Sequence, residues 1–388
     1  MKHIAILGAT GSIGTQSLEV MEEQEGFRAF ALSAHSNIKL LEQQVRKFRP
    51  RFACVTDEEK AAELKIRIND TDTKVLAGIE GLEEIASHPD VDTVITGIVG
   101  IAGLLPTMAA VKAGKRIGLA NKETLVTAGD IVMNEAKKTG SEIIPVDSEH
   151  SAIFQCIAAH VNKENYDGEI KRIILTASGG PFFGKTKEEL KDITVADALN
   201  HPNWSMGAKI TVDSASLMNK GLEVLEAKAL FGLPLDKVSV LVHRQSIVHS
   251  MVEFCDNAII AQMGTPDMKL PIQYALSYPE RLPMRGNELD LTKKPLTFEP
   301  VDMDTFRCLA LAIQAGHIGG TMPTVLNGAN EIAVSKFLKG EIGFLEIADL
   351  VELAMDAHKS IQNPTLSDIE EADRWAREYV LSNLHKLH

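Results

Sequence analysis

The chain has 388 residues, which is enough for two or three domains of ordinary size. With 45% hydrophobic and 24% charged residues, its composition is that of a globular protein and excludes a disordered or fibrous chain. The 40 Lys and Arg residues against 53 Asp and Glu residues leave a net charge of -13, so nucleic acid and anionic membrane surfaces are not expected as partners.

Short apolar runs alternate with helical patterns through residues 1–150. Continuous apolar strands between helices are typical of a parallel sheet that is covered on both faces. We therefore predict that the first domain is a Rossmann-like, doubly wound α/β domain. The strand-like runs are residues 4–7, 27–33, 52–56, 91–98, 116–120 and 142–146, and the clearest helical stretches are 102–113 and 122–138.

From residue 151 to about 285 the pattern changes to longer strands and one long helix, which predicts a central α+β domain with a mobile loop at about 178–208. A linker is predicted at 286–303, and four helical patterns then predict a C-terminal helical bundle at 304–388. The predicted strands are 170–177, 238–254 and 258–263, and the predicted helices are 210–231, 304–315, 323–339, 344–359 and 368–386. The last helix is predicted to open with a capping box of Ser367 and Glu370.

A glycine-rich turn follows the first predicted strand. Gly8, Gly11 and Gly14 stand in G-x-x-G-x-x-G spacing directly before a helical pattern. Such a turn is either a plain connection or a cradle in which the backbone amides of a helix N-terminus bind a pyrophosphate. Its place at the start of a βαβαβ pattern favours a dinucleotide site. The predicted cofactor-binding residues are Gly8, Thr10, Gly11, Ser12 and Ile13.

The end of the second strand distinguishes NAD from NADP. An NAD site usually has Asp or Glu there, which binds the ribose 2′-hydroxyl. This chain instead has His35, Ser36 and Asn37. Their imidazole, hydroxyl and amide groups can donate to a 2′-phosphate, which favours NADP. The alternative is that Ser36 and Asn37 only cap the next helix.

Asp147 and Glu149 come directly after the last predicted strand of the first domain, where open α/β sheets bind their ligands. If the extended backbone continues, both carboxylates point to one side, and two close like charges favour a cation between them. Oxygen ligands without a thiolate suit Mg²⁺ or Mn²⁺. The alternative is that Asp147 or Ser148 caps the following helix and Glu149 complements its dipole.

The helical stretch 210–231 places Asn219, Lys220 and Glu223 together on the arc opposite its apolar residues. These side chains are either an ordinary solvated face or groups that bind a ligand. Gly221 lies among them and costs a helix about 1 kcal/mol relative to Ala. A glycine at this position lets another backbone or a ligand approach closely.

The four cysteines lie far apart and form no CxxC pair, which disfavours both a disulfide framework and a thiolate zinc site. No apolar run reaches the roughly 18 residues that a membrane-spanning helix needs. The first residues lead directly into a strand and leave no room for a signal peptide. We therefore expect a cytoplasmic protein.

Eight phrases in order along nearly the whole chain resemble the 1-deoxy-D-xylulose 5-phosphate reductoisomerase family. They are GATGSIG at 8–14, NKE at 121–123, VDSEH at 146–150, ASGGPF at 177–182, HPNWSMG at 201–207, NKGLE at 219–223, GTPD at 264–267 and NGANE at 327–331. The resemblance implies conversion of 1-deoxy-D-xylulose 5-phosphate to 2-C-methyl-D-erythritol 4-phosphate by rearrangement and NADPH reduction, a step of the non-mevalonate (MEP) isoprenoid pathway. It also implies a homodimer, a small phosphorylated sugar as substrate, and NADPH with one divalent cation, Mg²⁺, Mn²⁺ or Co²⁺, as cofactors.

The same resemblance implies roles for the charged residues. Asp147, Glu149 and Glu223 would hold the cation, whose open positions bind the carbonyl and hydroxyl oxygens of the substrate. A cation there polarises the ketone and stabilises the oxyanions of the rearrangement. Lys122 would lie beside the reacting oxygens and the nicotinamide, where it supplies positive charge and proton transfer.

The remaining implied contacts concern the phosphate, the loop and the cofactor. Ser178, Ser214, Asn219 and Lys220 would bind the substrate phosphate, with His201 nearby. Because an unbroken helix would turn Ser214 away from Asn219, we expect Ser214 in the first turn of that helix or before it. Trp204 would cover the closed site. Without the resemblance, we would interpret Trp204 as an ordinary core aromatic and His201 as an ordinary loop residue. The further implied contacts are Asn121, Glu123 and Gly207 with the cofactor and Ser148 and Glu149 with the substrate.

One position departs from the family pattern. Many members have glycine and then a small or basic residue at the end of the second strand, whereas this chain has His35 and Ser36. Two other functions compete with the resemblance: a metal-independent NADP-dependent dehydrogenase of the semialdehyde or homoserine type, and a non-catalytic NADP-binding sensor. The first needs no carboxylate trio, and a semialdehyde enzyme would need an activated cysteine. A sensor would have no need of Lys122, the carboxylates and a phosphate site together.

Overall fold

The structure is a computed structural model that describes residues 1–158, 166–204, 206–286, 288–293 and 295–387. Its chain divides into two compact units. Ser205 of the predicted loop, residues 159–165 of the predicted central domain and two positions of the predicted linker, 287 and 294, lie outside the described residues. None of the described helices has the length and apolar character that crossing a bilayer requires.

The first unit comprises Met1–Thr124, Val132–Ser151 and Asp267–Asn287 and is built on a seven-stranded sheet. All of its strand pairs are parallel, in the order β4-β3-β2-β1-β5-β6-β7. The strands are β1 (Lys2–Leu7), β2 (Phe27–Ala34), β3 (Phe52–Val55), β4 (Lys74–Ala77), β5 (Thr93–Thr96), β6 (Arg116–Leu119) and β7 (Ile143–Pro145). The Rossmann-like prediction is therefore confirmed, with β4 as a strand that the sequence analysis did not identify, because this short strand is only partly buried.

Helices connect these strands. They are α1 (Ser12–Glu23), α2 (Ile38–Phe48), α3 (Glu58–Arg67), α4 (Gly78–Ser87), α5 (Leu104–Lys112) and α12 (Lys269–Ser277), while α6 (Lys122–Thr139) and α7 (Ser148–Ala158) begin in this unit. The chain order reverses beside β1, which lies between β2 and β5, and this is where doubly wound sheets open a crevice for a ligand. The glycine turn after β1, His35 after β2 and Asp147 after β7 follow the carboxyl ends of their strands.

The second unit comprises Leu125–Ile131, Ala152–Pro266 and Glu288–His388. Its five-stranded sheet has the order β11-β10-β8-β9-β12, with a parallel pair of β8 and β9 and antiparallel pairs elsewhere. The strands are β8 (Ile170–Ala177), β9 (Val238–Val242), β10 (Val248–Phe254), β11 (Ile259–Met263) and β12 (Glu299–Pro300). The single strand predicted over 238–254 is wrong, because a turn at 243–247 containing Ser246 at φ 51° separates β9 from β10.

The helices of the second unit share one core with its sheet. They are α8 (Tyr166–Glu169), α9 (Val195–Ala198), α10 (Ala208–Ala215), α11 (Met218–Phe231), α13 (Arg307–Ile318), α14 (Met322–Leu338), α15 (Glu346–Ala357) and α16 (Leu366–Asn383). Single turns of 3₁₀ helix lie at Ile101–Gly103, Glu188–Leu190, Leu235–Lys237 and Leu384–Leu387. Buried apolar residues run without a break from β8 through α11 and α13 to α16. The predicted division into three domains stays a prediction. The two compact units divide the chain at other places, because α12, which belongs to the predicted central domain, packs on α1 and β6 of the first unit.

Two local predictions are corrected. The helix predicted over 210–231 is two helices, because Leu217 adopts a left-handed backbone at φ 61° between α10 and α11. Ser214 therefore lies before α11, as expected, but on a helix of its own. The capping box of the last helix is formed by Thr365 and Asp368, two residues earlier than predicted, because Asp closes the box as well as Glu does.

Candidate functional site

The glycine turn is shaped by backbone approach. Gly8 has φ 88°, and a Cβ there would lie 2.8 Å from the carbonyl oxygen of Gly97. A Cβ on Gly14 would lie 2.3 Å from the oxygen of Gly8, so the first turn of α1 packs directly on the loop. The amides at the start of α1, those of Ser12 and Ile13 among them, have no partner within the helix. The turn thus has the close backbone and helix N-terminus that a pyrophosphate cradle requires.

The residues that follow β2 are predicted either to bind the 2′-phosphate of NADP or to cap α2. The side chain of Asn37 caps α2, because its Oδ1 accepts a hydrogen bond of 3.3 Å from the amide of Leu40. His35 and Ser36 are exposed, and Nδ1 of His35 lies 2.7 Å from Oγ1 of Thr56, which the sequence analysis did not select. The capping alternative therefore holds for Asn37, while His35 and Ser36 present polar groups to solvent.

Asn121 is a buried structural side chain. Its Oδ1 accepts a hydrogen bond of 2.9 Å from the amide of Thr124 and so caps α6. Its Nδ2 donates to the carbonyl oxygen of Gly100 at 2.9 Å and to the carboxylate of Glu123 at 3.2 Å. The amide thereby ties the start of α6 to the segment after β5. A contact of Asn121 or Glu123 with a cofactor stays a prediction.

A lysine and two carboxylates meet where β7 ends. Nζ of Lys122, which is only 7% exposed, lies 2.7 Å from Oδ2 of Asp147. Helix α7 starts at Ser148, so the expectation of continued extended backbone is wrong, and Glu149 stands in the first turn of this helix. One oxygen of Asp147 and one of Glu149 nevertheless lie within 4.8 Å of each other, and Ser148 Oγ donates to Glu149 at 2.6 Å. The helix start thus places the two carboxylates side by side, and their binding of a cation stays a prediction.

Lys220 and Glu223 in the polar arc of α11 are buried, and Asn219 is half-buried. Glu223 is 1% exposed and Lys220 is 4% exposed, so the interpretation as a solvated face is wrong. The carboxylate of Glu223 accepts from Nζ of Lys220 and, at 2.6 Å, from Nδ2 of Asn219. Gly221 serves helix packing, because a Cβ there would lie 2.5 Å from the Cβ of Ala312 on α13. The other helix, rather than a ligand, approaches this glycine.

Ser178, His201 and Ser214 form a cluster in the second unit. Nε2 of His201 lies 3.0 Å from Oγ of Ser178 and 3.1 Å from Oγ of Ser214. Nδ1 of His201 accepts from the amides of Asn203 and Trp204 at 3.1 and 3.0 Å. Because Nδ1 is an acceptor, the ring proton resides on Nε2 and is donated to the serine oxygens. The hydroxyl hydrogens of both serines are then available for an anion.

Arg244 is a residue of this cluster that the sequence analysis missed. It lies in the turn between β9 and β10, and its guanidinium donates to the carbonyl oxygens of Gly180 at 2.9 Å and Ser178 at 3.4 Å. Burial, together with the positive charge of Arg244, lowers the pKa of His201 below its usual value. The sequence shows Arg244 only as a basic residue within the stretch 238–254. Because we predict one continuous strand there, the turn that carries Arg244 is not identified.

Trp204 and Gly207 lie on either side of the undescribed Ser205. Trp204 is half-buried, and its amide helps to orient His201. Gly207 caps α10 with an extended backbone, and its carbonyl oxygen accepts from Oγ1 of Thr211 at 2.8 Å. Neither contact shows a ligand, so the predicted substrate contact of Trp204 and cofactor contact of Gly207 stay predictions.

None of the three buried cysteines has an activated thiol. Burial raises the pKa of Cys54 and of Cys308 to about 12 and that of Cys156 to about 11. A thiol with so high a pKa is protonated at neutral pH and is a poor nucleophile. This disfavours a semialdehyde dehydrogenase, which needs a cysteine nucleophile.

Three family models match the chain. They are described as 1-deoxy-D-xylulose 5-phosphate reductoisomerase over residues 4–129, the C-terminal domain of that enzyme over 143–231, and DXP reductoisomerase C-terminal domain over 263–379. Curated relatives of the same name come from Ruminiclostridium cellulolyticum, 55% identical over 97% of both chains, and Thermoanaerobacter pseudethanolicus, 53% identical over 98% of both. A crystal structure of DOX-P reductoisomerase with NADPH, fosmidomycin and magnesium is 42% identical, with a TM-score of 0.95 over 100% of this chain and 99% of that one. The Zymomonas mobilis enzyme in complex with NADPH is 40% identical, with a TM-score of 0.92 over 99% of both chains.

The environment of His201 predicts its titration. The unfolded chain takes up a proton on this ring near pH 6.5, but the native ring does so only at lower pH. The free energy of unfolding is therefore expected to fall as the pH drops below about 6.5 through this interval. Imidazole NMR spectra, assigned with His201→Asn, should show the Nε2–H tautomer and a midpoint below 6.5. A midpoint at or above 6.5 would contradict the buried, neutral donor.

Proposed function

The chain belongs to the 1-deoxy-D-xylulose 5-phosphate reductoisomerase family, and we propose that the residues described above carry out the reaction of this family. It is an oxidoreductase that rearranges and reduces 1-deoxy-D-xylulose 5-phosphate to 2-C-methyl-D-erythritol 4-phosphate in the non-mevalonate isoprenoid pathway. NADPH and a divalent cation are its cofactors. The observation that carries the residue assignment is the carboxylate pair of Asp147 and Glu149 beside buried Lys122, at the carboxyl end of the last parallel strand.

We assign the cation to Asp147, Glu149 and Glu223. The first two offer oxygens within 4.8 Å of each other, and Glu223 is a carboxylate removed from water. Hard oxygen donors without a thiolate fit Mg²⁺ or Mn²⁺, and Co²⁺ is the next candidate. When bound, the cation supplies Lewis-acid polarisation of the substrate carbonyl and neutralises developing oxyanions.

Lys122 acts beside these carboxylates. Its ammonium group is nearly removed from water and is held 2.7 Å from Asp147, so its position is fixed before the substrate arrives. A fixed charge in a site of low dielectric stabilises an oxyanion more than a solvated one does. We propose that Lys122 holds positive charge at the reacting oxygens and moves a proton there.

The substrate phosphate is assigned to Ser178, Ser214, Asn219 and Lys220, with His201 as the residue that orients both serines. His201 donates its Nε2 proton to the two hydroxyl oxygens, which leaves the hydroxyl hydrogens to donate to the phosphate. Neutral donors around one ammonium group suit a dianion, because hydrogen bonds to a charged acceptor are short and strong. Fosmidomycin, bound in a related enzyme, supports a small phosphorylated ligand. Trp204 would cover the site and exclude water.

The NADPH pyrophosphate is assigned to the turn of Gly8, Thr10, Gly11, Ser12 and Ile13. A side chain at Gly8 or Gly14 would collide with the backbone of Gly97 or Gly8 and distort this turn, whose shape fits a ligand held by backbone amides. The 2′-phosphate is assigned to His35 and Ser36, because the side chain of Asn37 is occupied as the cap of α2. Glu123 and Gly207 are proposed as further cofactor contacts, and Ser148 as a further substrate contact.

We also propose a cytoplasmic homodimer. All four cysteines are free thiols, which fits a reducing compartment. Strand β11 lies at an edge of its sheet among the described strands, and Ile259 on it is 52% exposed, which supports an interface there. Sedimentation velocity is expected to show a dimer, and Ile259→Lys is expected to shift it toward the monomer. A wild-type monomer at micromolar concentration would refute the homodimer.

The function is tested by following NADPH oxidation at 340 nm. Oxidation is expected to require both 1-deoxy-D-xylulose 5-phosphate and Mg²⁺ or Mn²⁺, because the three carboxylates are assigned to a cation. EDTA should abolish turnover, and added cation should restore it. Undiminished turnover in metal-free buffer would favour a metal-independent dehydrogenase instead.

The role of Glu223 is tested by Glu223→Gln. The amide keeps the shape of the side chain but loses a charge, so metal affinity and turnover are expected to fall by roughly 100-fold or more while NADPH binding stays nearly intact. Metal titration of turnover and NADPH fluorescence measure the two effects. Glu253→Gln is the matched control, because Glu253 is also a mostly buried carboxylate and pairs with Lys171 and Arg172 on the sheet. A selective loss of NADPH binding in Glu223→Gln would remove Glu223 from the cation site.

A further inference from the structure

The phrase Asn327–Glu331 on α14 has no role in the reaction described so far. Asn327 and Asn330 are both fully buried. Buried amides need hydrogen-bond partners, and the side chains of Asn327 and Asn330 have different partners. Asn327 donates to Glu331 on its own helix at 3.1 Å, whereas Asn330 reaches another helix.

Asn330 holds the carboxylate next to Ser214. Its Nδ2 donates to Oδ1 of Asp213 at 2.8 Å, and Asp213 is 1% exposed. The other oxygen of Asp213 lies 2.8 Å from Nζ of Lys209, one turn earlier on α10. Because Lys209 belongs to the same helix, it cannot fix α10 in space. The hydrogen bond from Asn330 connects this carboxylate to α14.

The same helix end also contacts the backbone of a loop. A Cβ on Gly180 would lie 2.8 Å from the carbonyl oxygen of Ser214 and 3.1 Å from Cα of Ala215. The loop that carries Ser178 therefore rests directly on the end of α10. This helix has only eight residues, and the left-handed Leu217 follows closely. So short a helix takes its position mainly from its neighbours.

We propose that Asn330 is a positioning residue for binding of the substrate phosphate. It fixes Asp213, and through the backbone of α10 it sets the place of Ser214 Oγ relative to His201 and Ser178. Shifts of a fraction of an ångström weaken hydrogen bonds to an anion, because their strength depends steeply on distance and angle. The inference rests on the proposed role of Ser214 in phosphate binding.

The test compares Asn330→Ala with Asn327→Ala in the wild-type assay. Both variants remove a fully buried amide from α14, and both are expected to lower the melting temperature. Only Asn330→Ala is expected to raise KM for 1-deoxy-D-xylulose 5-phosphate, by about tenfold, with kcat within about twofold and KM for NADPH unchanged. An unchanged substrate KM in Asn330→Ala, or an equal rise in Asn327→Ala, would overturn the proposal.

Three further variants keep the test decisive. Ser214→Ala in the same assay tests the underlying function: an unchanged substrate KM there refutes the role of Ser214, and the proposal for Asn330 falls with it. A raised KM in Ser214→Ala together with an unchanged KM in Asn330→Ala refutes the proposal for Asn330 alone. If Asn330→Ala does not fold, Asn330→Asp replaces it and places two carboxylates together, which should raise the substrate KM. Adding Asp213→Asn restores an amide–carboxylate pair and should lower KM again toward the wild-type value. No recovery in the exchanged pair would count against the proposal.

Discussion

The pairing of buried carboxylates with lysine ammonium groups is the constraint on which the rest of this structure depends. Lys122 with Asp147, Lys220 with Glu223 and Lys209 with Asp213 each place a carboxylate whose side chain is at most 13% exposed beside an ammonium group. Leaving one partner of such a pair alone costs roughly 3–5 kcal/mol. The pair of Lys122 and Asp147 holds the start of α6 against the end of β7, whereas the other two pairs lie within α11 and α10. An acidic chain can in this way concentrate positive charge at the places that we assign to anions.

Close backbone packing supplies the rigidity that these pairs need. Gly14 lets α1 pack on the turn of Gly8, Gly221 lets α13 pack on α11, and Gly180 lets a loop rest on α10. In each case a single Cβ would meet atoms that cannot move freely. The polar groups assigned to cofactor and phosphate thus stand on elements whose mutual distances are set by contact between main chains or small side chains. Such preorganisation reduces the free energy that must be spent on ordering when the ligand binds.

Neutral donors, rather than many positive charges, characterise the cluster of Ser178, His201 and Ser214 that we assign to the phosphate. His201 is kept neutral by burial and by Arg244, and Arg244 itself donates to backbone carbonyls rather than to the cluster's hydroxyls. The turn between β9 and β10 therefore influences the cluster without contributing a ligand group. The hydrogen bond from Asn330 to Asp213 likewise lies beside the cluster without adding a ligand group, and α14 belongs to the same compact unit.

The sequence by itself determined the parallel sheet, the glycine turn and the place of Asp147 and Glu149, because strand alternation and turn chemistry are local properties of the chain. The family motifs also selected Glu223, Lys220 and Ser214. Periodicity could not show that Lys220 and Glu223 are buried, since a polar arc has the same sequence pattern whether it faces water or other side chains. It also missed the break at Leu217, where packing holds a non-glycine residue in the left-handed region. Arg244 and the bond from Asn330 to Asp213 came only from the tertiary structure, because a hydrogen bond between residues 117 positions apart leaves no periodic signal in the sequence.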